Sequence, residues 1–265
     1  MRIKKVWAVF FSPTGTSKTI VEAIASKVAA DEHETIDLTH SETTEKCFEE
    51  DELVVMGVPV YAGRVAPLAK KRLNALQGGN TPAVVVVLYG NREYEDALLE
   101  LKDLAMAASF TPIAGAAFVG MHSFSNNKVP IAPGRPDDDD LLRARVLAGE
   151  IIKKLGNLRE RAAQPDLIVP GNSPYKESPG PMPVTPEVDA DKCTGCGICV
   201  PTCPDAAISL EEGSPVRDVE RCIFCCACIR ACPEQALFID APAVQEKRKW
   251  LHDNYARRKE PELFL

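Results

Sequence analysis

Cys193-x-x-Cys196-x-x-Cys199-x-x-x-Cys203-Pro204 recurs in this chain as Cys222-x-x-Cys225-x-x-Cys228-x-x-x-Cys232-Pro233, 29 residues further on. The likeness extends beyond the cysteines: Asp191 matches Glu220, Lys192 matches Arg221, and Ala207-Ile208 matches Ala236-Leu237. Thiolates at this spacing hold cubane iron–sulfur clusters. Three cysteines wrap one cluster, and the fourth, followed by proline, turns away to ligate the other. The pattern assigns one [4Fe-4S] cluster to Cys193, Cys196, Cys199 and Cys232, and a second to Cys222, Cys225, Cys228 and Cys203. Such crossing makes one compact α+β unit with pseudo-two-fold symmetry. Between the copies, residues 207–210 read as a strand, followed by the turn Glu211-Glu212-Gly213-Ser214-Pro215, with residues 238–240 expected to pair with that strand. Structural zinc takes about four ligands in two separated pairs, and disulfides suit small secreted chains; evenly repeated triplets without a secretion signal fit neither. Cys226 breaks the spacing and reads as a buried spectator thiol; Cys47, alone in a polar stretch, reads as inert.

The chain has 265 residues, enough for two ordinary domains, and 45% of them are hydrophobic. Net charge is −7, which disfavours nucleic acid as a partner. Residues 187–240 hold ten acidic and four basic residues, a balance suited to basic patches on redox partner proteins. The longest apolar run, residues 83–89, is far short of the roughly 18 needed for a membrane span. Met1-Arg2-Ile3-Lys4-Lys5 before the apolar residues 6–11 mimics a signal peptide. The run is too short, however, and Ser12-Pro13-Thr14-Gly15 offers no small-residue cleavage site. The expectation is a cytoplasmic protein of an anaerobe, where exposed clusters survive.

Residues 6–11, 35–38, 52–58, 83–89 and 114–119 read as strands, and 14–30, 67–76, 96–108 and 138–155 as helices. Their alternation predicts an α/β fold with a doubly wound, five-stranded parallel sheet. Such sheets bind ligands outside the carboxyl ends of their strands. Asp137, Asp138, Asp139 and Asp140 follow Pro136 and read as a helix start, where carboxylates complement the dipole, rather than as a metal site. Residues 156–186 are proline-rich and read as an extended linker. Residues 243–258 read as a basic amphipathic helix. The apolar Leu263-Phe264-Leu265 beyond it is predicted to cross back and strap the two domains together.

Three loops at the sheet's carboxyl edge carry the second signal. Ser12-Pro13-Thr14-Gly15-Thr16-Ser17 opens a helix with four hydroxyls, an anion cradle. It lacks the lysine of nucleotide-triphosphate loops, so a phosphate monoester suits it; the plainer reading is a hydroxyl-rich helix cap. Pro59-Val60-Tyr61-Ala62-Gly63-Arg64 offers a flexible Gly63 and a stacking face on Tyr61. Tyr89-Gly90-Asn91-Arg92-Glu93-Tyr94 is polar, aromatic and glycine-hinged.

Together these residues resemble the flavodoxin family, whose phosphate loop runs hydroxyl-x-Thr-Gly-x-hydroxyl, matched by Ser12, Thr14, Gly15 and Ser17 around Thr16. The resemblance covers about residues 1–155 and implies bound FMN. The flavin ring would lie between the loop of Pro59, Val60, Tyr61, Ala62, Gly63 and Arg64 and the loop of Tyr89, Gly90, Asn91, Arg92 and Tyr94. Residues 187–240 resemble the bacterial two-cluster ferredoxins. The whole is similar to flavodoxin-like proteins fused to such a ferredoxin in anaerobes. Many flavodoxins carry acidic residues around the ring; Arg64 and Arg92 depart from that. Arg64 either serves a substrate anion or the reduced flavin, or is a surface arginine. His122 either donates a proton near the flavin or faces solvent. The resemblance implies domains at 1–155, 187–240 and a C-terminal helix and tail at 241–265. It also implies intramolecular electron transfer between two [4Fe-4S] clusters and FMN, in a carrier between redox partners. The alternative is a flavin-dependent reductase of a small molecule, fed by the clusters.

Overall fold

The computed structural model describes residues 2–40, 45–157, 166–178, 180 and 183–265. Through the first part run β1 (Lys5–Phe10), α1 (Thr16–Ala25), β2 (Glu32–Asp37), β3 (Lys46–Phe48), β4 (Glu52–Tyr61), β5 (Arg64–Val65) and α2 (Pro67–Leu73). They continue as β6 (Leu76–Gly78), β7 (Thr81–Tyr89), α3 (Ala97–Ala107), β8 (Phe110–Val119) and α4 (Asp138–Asn157). Strands β2, β1, β4, β7 and β8 lie side by side in that order, all parallel. This is the flavodoxin-like doubly wound order, reversing beside the first strand. The valine run of β7 shows why it sits centrally. Val84 and Val86 pack with Ile20, Val21 and Leu147 on one face, and Val85 and Val87 with Leu98 and Leu101 on the other. A strand covered on both faces needs no polar alternation.

Several boundaries differ from the sequence expectation. α1 stops at Ala25, although Val28 beyond it remains buried. α2 stops at Leu73, and Leu76 instead enters β6, which pairs with β3. Of the four consecutive aspartates, Asp140 is fully buried and forms an ion pair with the buried Arg135. It is a core anchor as well as part of a helix start.

Part of the segment read as an extended linker is strapped to the sheet. Residues 158–165, 179, 181 and 182 of it lie outside the described residues. Leu167 and Val169 are buried against the core, passing over Gly115 of β8, where a side chain would meet Val169 at 3.2 Å. The buried Asp96 carboxylate then accepts the N–H groups of Asn172 (2.8 Å) and Lys176 (2.7 Å).

The cysteine-rich part contains β9 (Glu187–Val188), α5 (Cys199–Thr202), β10 (Ile208–Glu211), β11 (Ser214–Arg217), α6 (Ala227–Ala231) and β12 (Leu237–Phe238). Residues 238–240 do not pair with the strand after the first motif. β10 pairs with β11, and β12 with β9. Glu212 and Gly213 both adopt positive φ (48° and 80°), the geometry of a two-residue hairpin turn. The strand therefore folds back locally before a distant partner can compete.

α7 (Pro242–Asn254) ends before the expected residue 258, and β13 (Glu262–Phe264) adds to the sheet antiparallel to β8. Period-two alternation sends Leu263 to one core and Phe264 to the other. Among the described residues, no helix is long and apolar enough to cross a membrane.

Candidate functional site

The loop after β1 is braced from outside. Ser12 N donates to Thr39 Oγ1 (2.9 Å), and Ser12 Oγ accepts from Lys18 N (3.0 Å). Gly15, with φ 83°, occupies the N-cap of α1 and supplies no side-chain cap. Ser12 Oγ takes the Lys18 N–H, so the N–H groups of Thr16 and Ser17 are the ones left for a ligand. Ser17 is fully buried, yet its Oγ has no hydrogen-bond partner among the described residues. An unpaired buried hydroxyl beside a helix start with two N–H groups still to satisfy fits a phosphate monoester, which satisfies both. Thr14 and Thr16 are half-buried in the same loop. Gly120, after β8, lets the neighbouring chain approach Thr16, whose Cβ would lie 3.2 Å from an added methyl.

The two expected ring loops are only partly available. β4 carries Pro59, Val60 and Tyr61 as strand, and Ala62 and Gly63 (φ 52° and 84°) turn directly into β5. Arg64 forks onto Glu100 (2.8 and 2.7 Å), donates to Lys176 O (2.7 Å) and lies over the Tyr175 ring. Those partners engage its guanidinium. Tyr89 and Tyr94 are buried, 5.3 Å apart, and the Tyr94 hydroxyl donates to Glu262 Oε2 (3.0 Å). Tyr94 thus anchors the last strand. Asn91 donates to Tyr255 O (2.6 Å) and Arg257 O (2.9 Å).

Gly90 and Arg92 remain at the site. A side chain on Gly90 would sit 2.2 Å from the His122 ring, so that ring packs directly on the Gly90 backbone. Burial, then Arg230, Arg92, Lys247 and Arg248, lowers the His122 pKa to about 4. The ring is therefore neutral near pH 7. Its Nδ1 accepts the Phe124 N–H (3.0 Å), leaving the ring proton on Nε2. Lys247 is lowered too, by burial and then by Arg92 and Lys176. A cationic rim thus stands beside Gly90. It extends towards Gly63, whose added methyl would meet the Glu95 carboxylate that pairs with Arg92 and Lys176.

The cysteines ring two cavities in crossed sets. Cys193, Cys196, Cys199 and Cys232 line one, with Glu234 and Pro215. Cys203, Cys222, Cys225 and Cys228 line the other, with Arg217 and Phe224. Among the described residues no three such side chains converge on a single ion; the quartets surround volumes. Both motifs wind alike. Gly195 and Gly197 have φ 68° and 74°, and Phe224 and Cys226, one repeat later, have φ 56° and 62°. Cys226 thus occupies a backbone-turn position, is buried, and points its thiol towards Phe224 O. Burial pushes the Cys225 and Cys228 thiols up to about 12. Donors of this kind ionise only against a metal, which fits a bound cluster.

The second cavity faces the sheet. Ile223 packs into the core shared by β4 and β7. Arg230 Nη2 donates to Met121 O (3.1 Å) and His122 O (2.8 Å). Phe224 meets Phe124 at 5.3 Å, and Phe124 meets His122 at 4.9 Å. Burial, then the charges of Cys225 and Cys226, raises the Tyr61 pKa. Arg72 joins Leu38 O (2.7 Å) and Thr39 O behind the phosphate loop to Pro204 O (2.6 Å) beside Cys203. The first cavity lies outward, with Cys196 exposed. Sequence reasoning missed Thr39, Arg72, Arg217 and Arg230 because their partners are backbone carbonyls, cavities or distant loops that leave no motif.

Residues 185–233 match the family described as 4Fe-4S dicluster domain. A heterodisulfide reductase-like protein of Archaeoglobus profundus is 56% identical over 36 residues, 12% of this chain and 5% of that protein. The chain thus spans only a small part of that relative. A flavodoxin from the domain Archaea has 15% identity, covering 57% of this chain and 99% of its own, with a TM-score of 0.36. A flavodoxin of Streptococcus pneumonia TIGR4 has 15% identity at the same coverages and a TM-score of 0.40. The fold assignment stands on the strand order of this chain itself.

Proposed function

For a chain that joins a flavodoxin-like sheet to a 4Fe-4S dicluster domain, we propose intramolecular electron transfer between two [4Fe-4S] clusters and FMN. The protein would act as a cytoplasmic, low-potential carrier between redox partner proteins in anaerobic metabolism. The observation that carries this reading is the place of the second cysteine quartet, between the exposed Cys196 side and the loops of Tyr61, Gly90 and His122. When bound, each cluster exchanges single electrons and the flavin one or two, so the set converts between one- and two-electron chemistry. The chain supplies position. Ser12, Thr14, Gly15, Thr16 and Ser17 hold the phosphate, and Tyr61, Gly63 and Gly90 flank the ring. Arg72 and Arg230 pin the cysteine domain to the sheet by backbone carbonyls. Ile223, Phe124 and Phe224 exclude water between them. Exposed Asp191, Glu211, Glu212, Glu220 and Glu234 suit a basic partner. Anaerobic isolation with flavin and iron analysis tests the cofactors; zinc without cluster absorbance, or FAD in place of FMN, refutes them. Stopped-flow reduction tests the route. Cys225→Ala should keep FMN but lose fast electron delivery to it.

The cationic rim of Arg92, Lys176 and Lys247 favours a second reading, reduction of an anionic small molecule at the flavin. Perturbation of the flavin spectrum by dicarboxylates or phosphate esters, abolished in Lys247→Gln, would support it. No perturbation by any such compound leaves the carrier.

A further inference from the structure

The two cysteine cavities are built from matching residues one repeat apart: Pro186 answers Pro215, Ala207 answers Ala236, and Ile208 answers Leu237. Their charged linings do not match. The first cavity holds Glu234 and the second holds Arg217. The residue one repeat before Arg217 is Val188, and the residue one repeat before Glu234 is Asp205; neither borders the equivalent cavity. The asymmetry therefore belongs to these two side chains. Arg217 sits on β11 opposite Ile208. Its Nη1 donates to Pro215 O (2.7 Å), which fixes the guanidinium. Its Nε is buried and has no partner among the described residues. Buried donors are rarely left unpaired, and Arg217 lines the space that four cysteines surround.

We propose that Arg217 Nε donates a charge-assisted hydrogen bond to the cluster held by Cys203, Cys222, Cys225 and Cys228, and sets its reduction potential. This rests on the reading that both cavities hold [4Fe-4S] clusters. Adding an electron to a buried cluster places more negative charge in a poorly solvated site, which burial disfavours. Hydrogen bonds and positive charge at the sulfurs act in the opposite direction. Arg217 therefore keeps the inner cluster reducible despite its burial. Glu234, on the exposed cavity, biases the outer cluster the other way. Electrons entering beside Cys196 are thereby drawn inward.

Anaerobic redox titration of the full chain, followed by EPR and visible absorbance, tests this. Arg217→Gln should make one cluster about tenfold harder to reduce, a shift of about 59 mV for one electron, and leave the other unmoved. Glu234→Gln should move the other cluster in the positive direction. Arg217→Lys, which keeps the charge but not the Nε donor, should shift the same cluster by a smaller amount. If Arg217→Gln loses its inner cluster, the lysine variant decides: a shift supports the assignment and none overturns it. Unmoved potentials with full iron content, or one cluster responding to both Arg217 and Glu234 variants, overturn the inference alone. A wild-type protein without clusters instead overturns the function from which it proceeds.

Discussion

Ser17→Ala should strengthen the flavin-free protein and weaken its hold on FMN. The Ser17 side chain is fully buried in the first turn of α1, and its Oγ has no partner among the described residues. A buried polar group left unpaired costs about 1–3 kcal/mol. Deleting that one oxygen should raise the unfolding free energy of the flavin-free protein by up to this amount. Alanine's higher helix propensity acts in the same direction. With FMN bound the sign reverses, because a hydrogen bond to a charged group is worth about 1.5–3 kcal/mol. At about 1.4 kcal/mol per tenfold, FMN affinity should fall on the order of ten- to a hundredfold. Adding Thr14→Ala should take the loss to about a hundredfold or more. Riboflavin lacks the phosphate, so its affinity should change little. Urea unfolding of the flavin-free protein and fluorescence titration with both flavins measure the two halves. Lower stability without flavin would show that the hydroxyl is already satisfied. Equal losses for FMN and riboflavin would show that this loop does not hold the phosphate.

Crossed ligation predicts that Cys203→Ala removes about half the iron, spectroscopically the cluster of Cys222, Cys225 and Cys228. Cys226→Ala should spare both clusters, and loss of the cluster beside Cys203 in sequence would refute the crossing. Deleting residues 261–265 removes β13 and the Tyr94–Glu262 bond. Both cofactors should stay bound, hydrogen exchange at residues 115–117 should rise, and electron transfer should slow; unchanged transfer would give the tail another role. Arg258→Gln breaks the pair with Asp137 (2.5 Å), a partly exposed contact worth about 0.2–1 kcal/mol. Arg258 holds the Asp137 carboxyl well below its usual range. The stabilisation should be complete above the unfolded pKa of about 3.9 and lost as pH falls through the lower folded value. Urea midpoints across pH 2–7 test this, and a wild-type-to-variant gap that does not narrow in acid counts against the pair.

The parts of this protein readable from residue order are those whose chemistry is local. Cluster ligation is written in spacings of a few residues, so Cys193 to Pro233 declares its crossed sets before any fold is known. β7 is legible because residues 83–89 are apolar throughout, and the phosphate loop because its hydroxyls and Gly15 are consecutive. Tertiary structure decided which candidates were free to act. Arg64 reads as a ring-loop residue in sequence, and the fold gives its guanidinium to Glu100, 36 positions away. Tyr94 reads as part of the second ring loop, and the fold gives its hydroxyl hydrogen to Glu262, 168 positions away. The proline-rich segment reads as an extended linker until Leu167 and Val169 cover the core and Asp96 captures the backbone beyond them. Residues 238–240 lost their expected partner to a two-residue turn that closes β10 onto β11. Thr39, Arg72, Arg217 and Arg230 gain their roles from where carbonyls and cavities lie in space. Side chains compete for distant partners by geometry and burial, and those partners leave no periodicity in the chain, whereas ligand spacing and strand patterning are complete within a few residues.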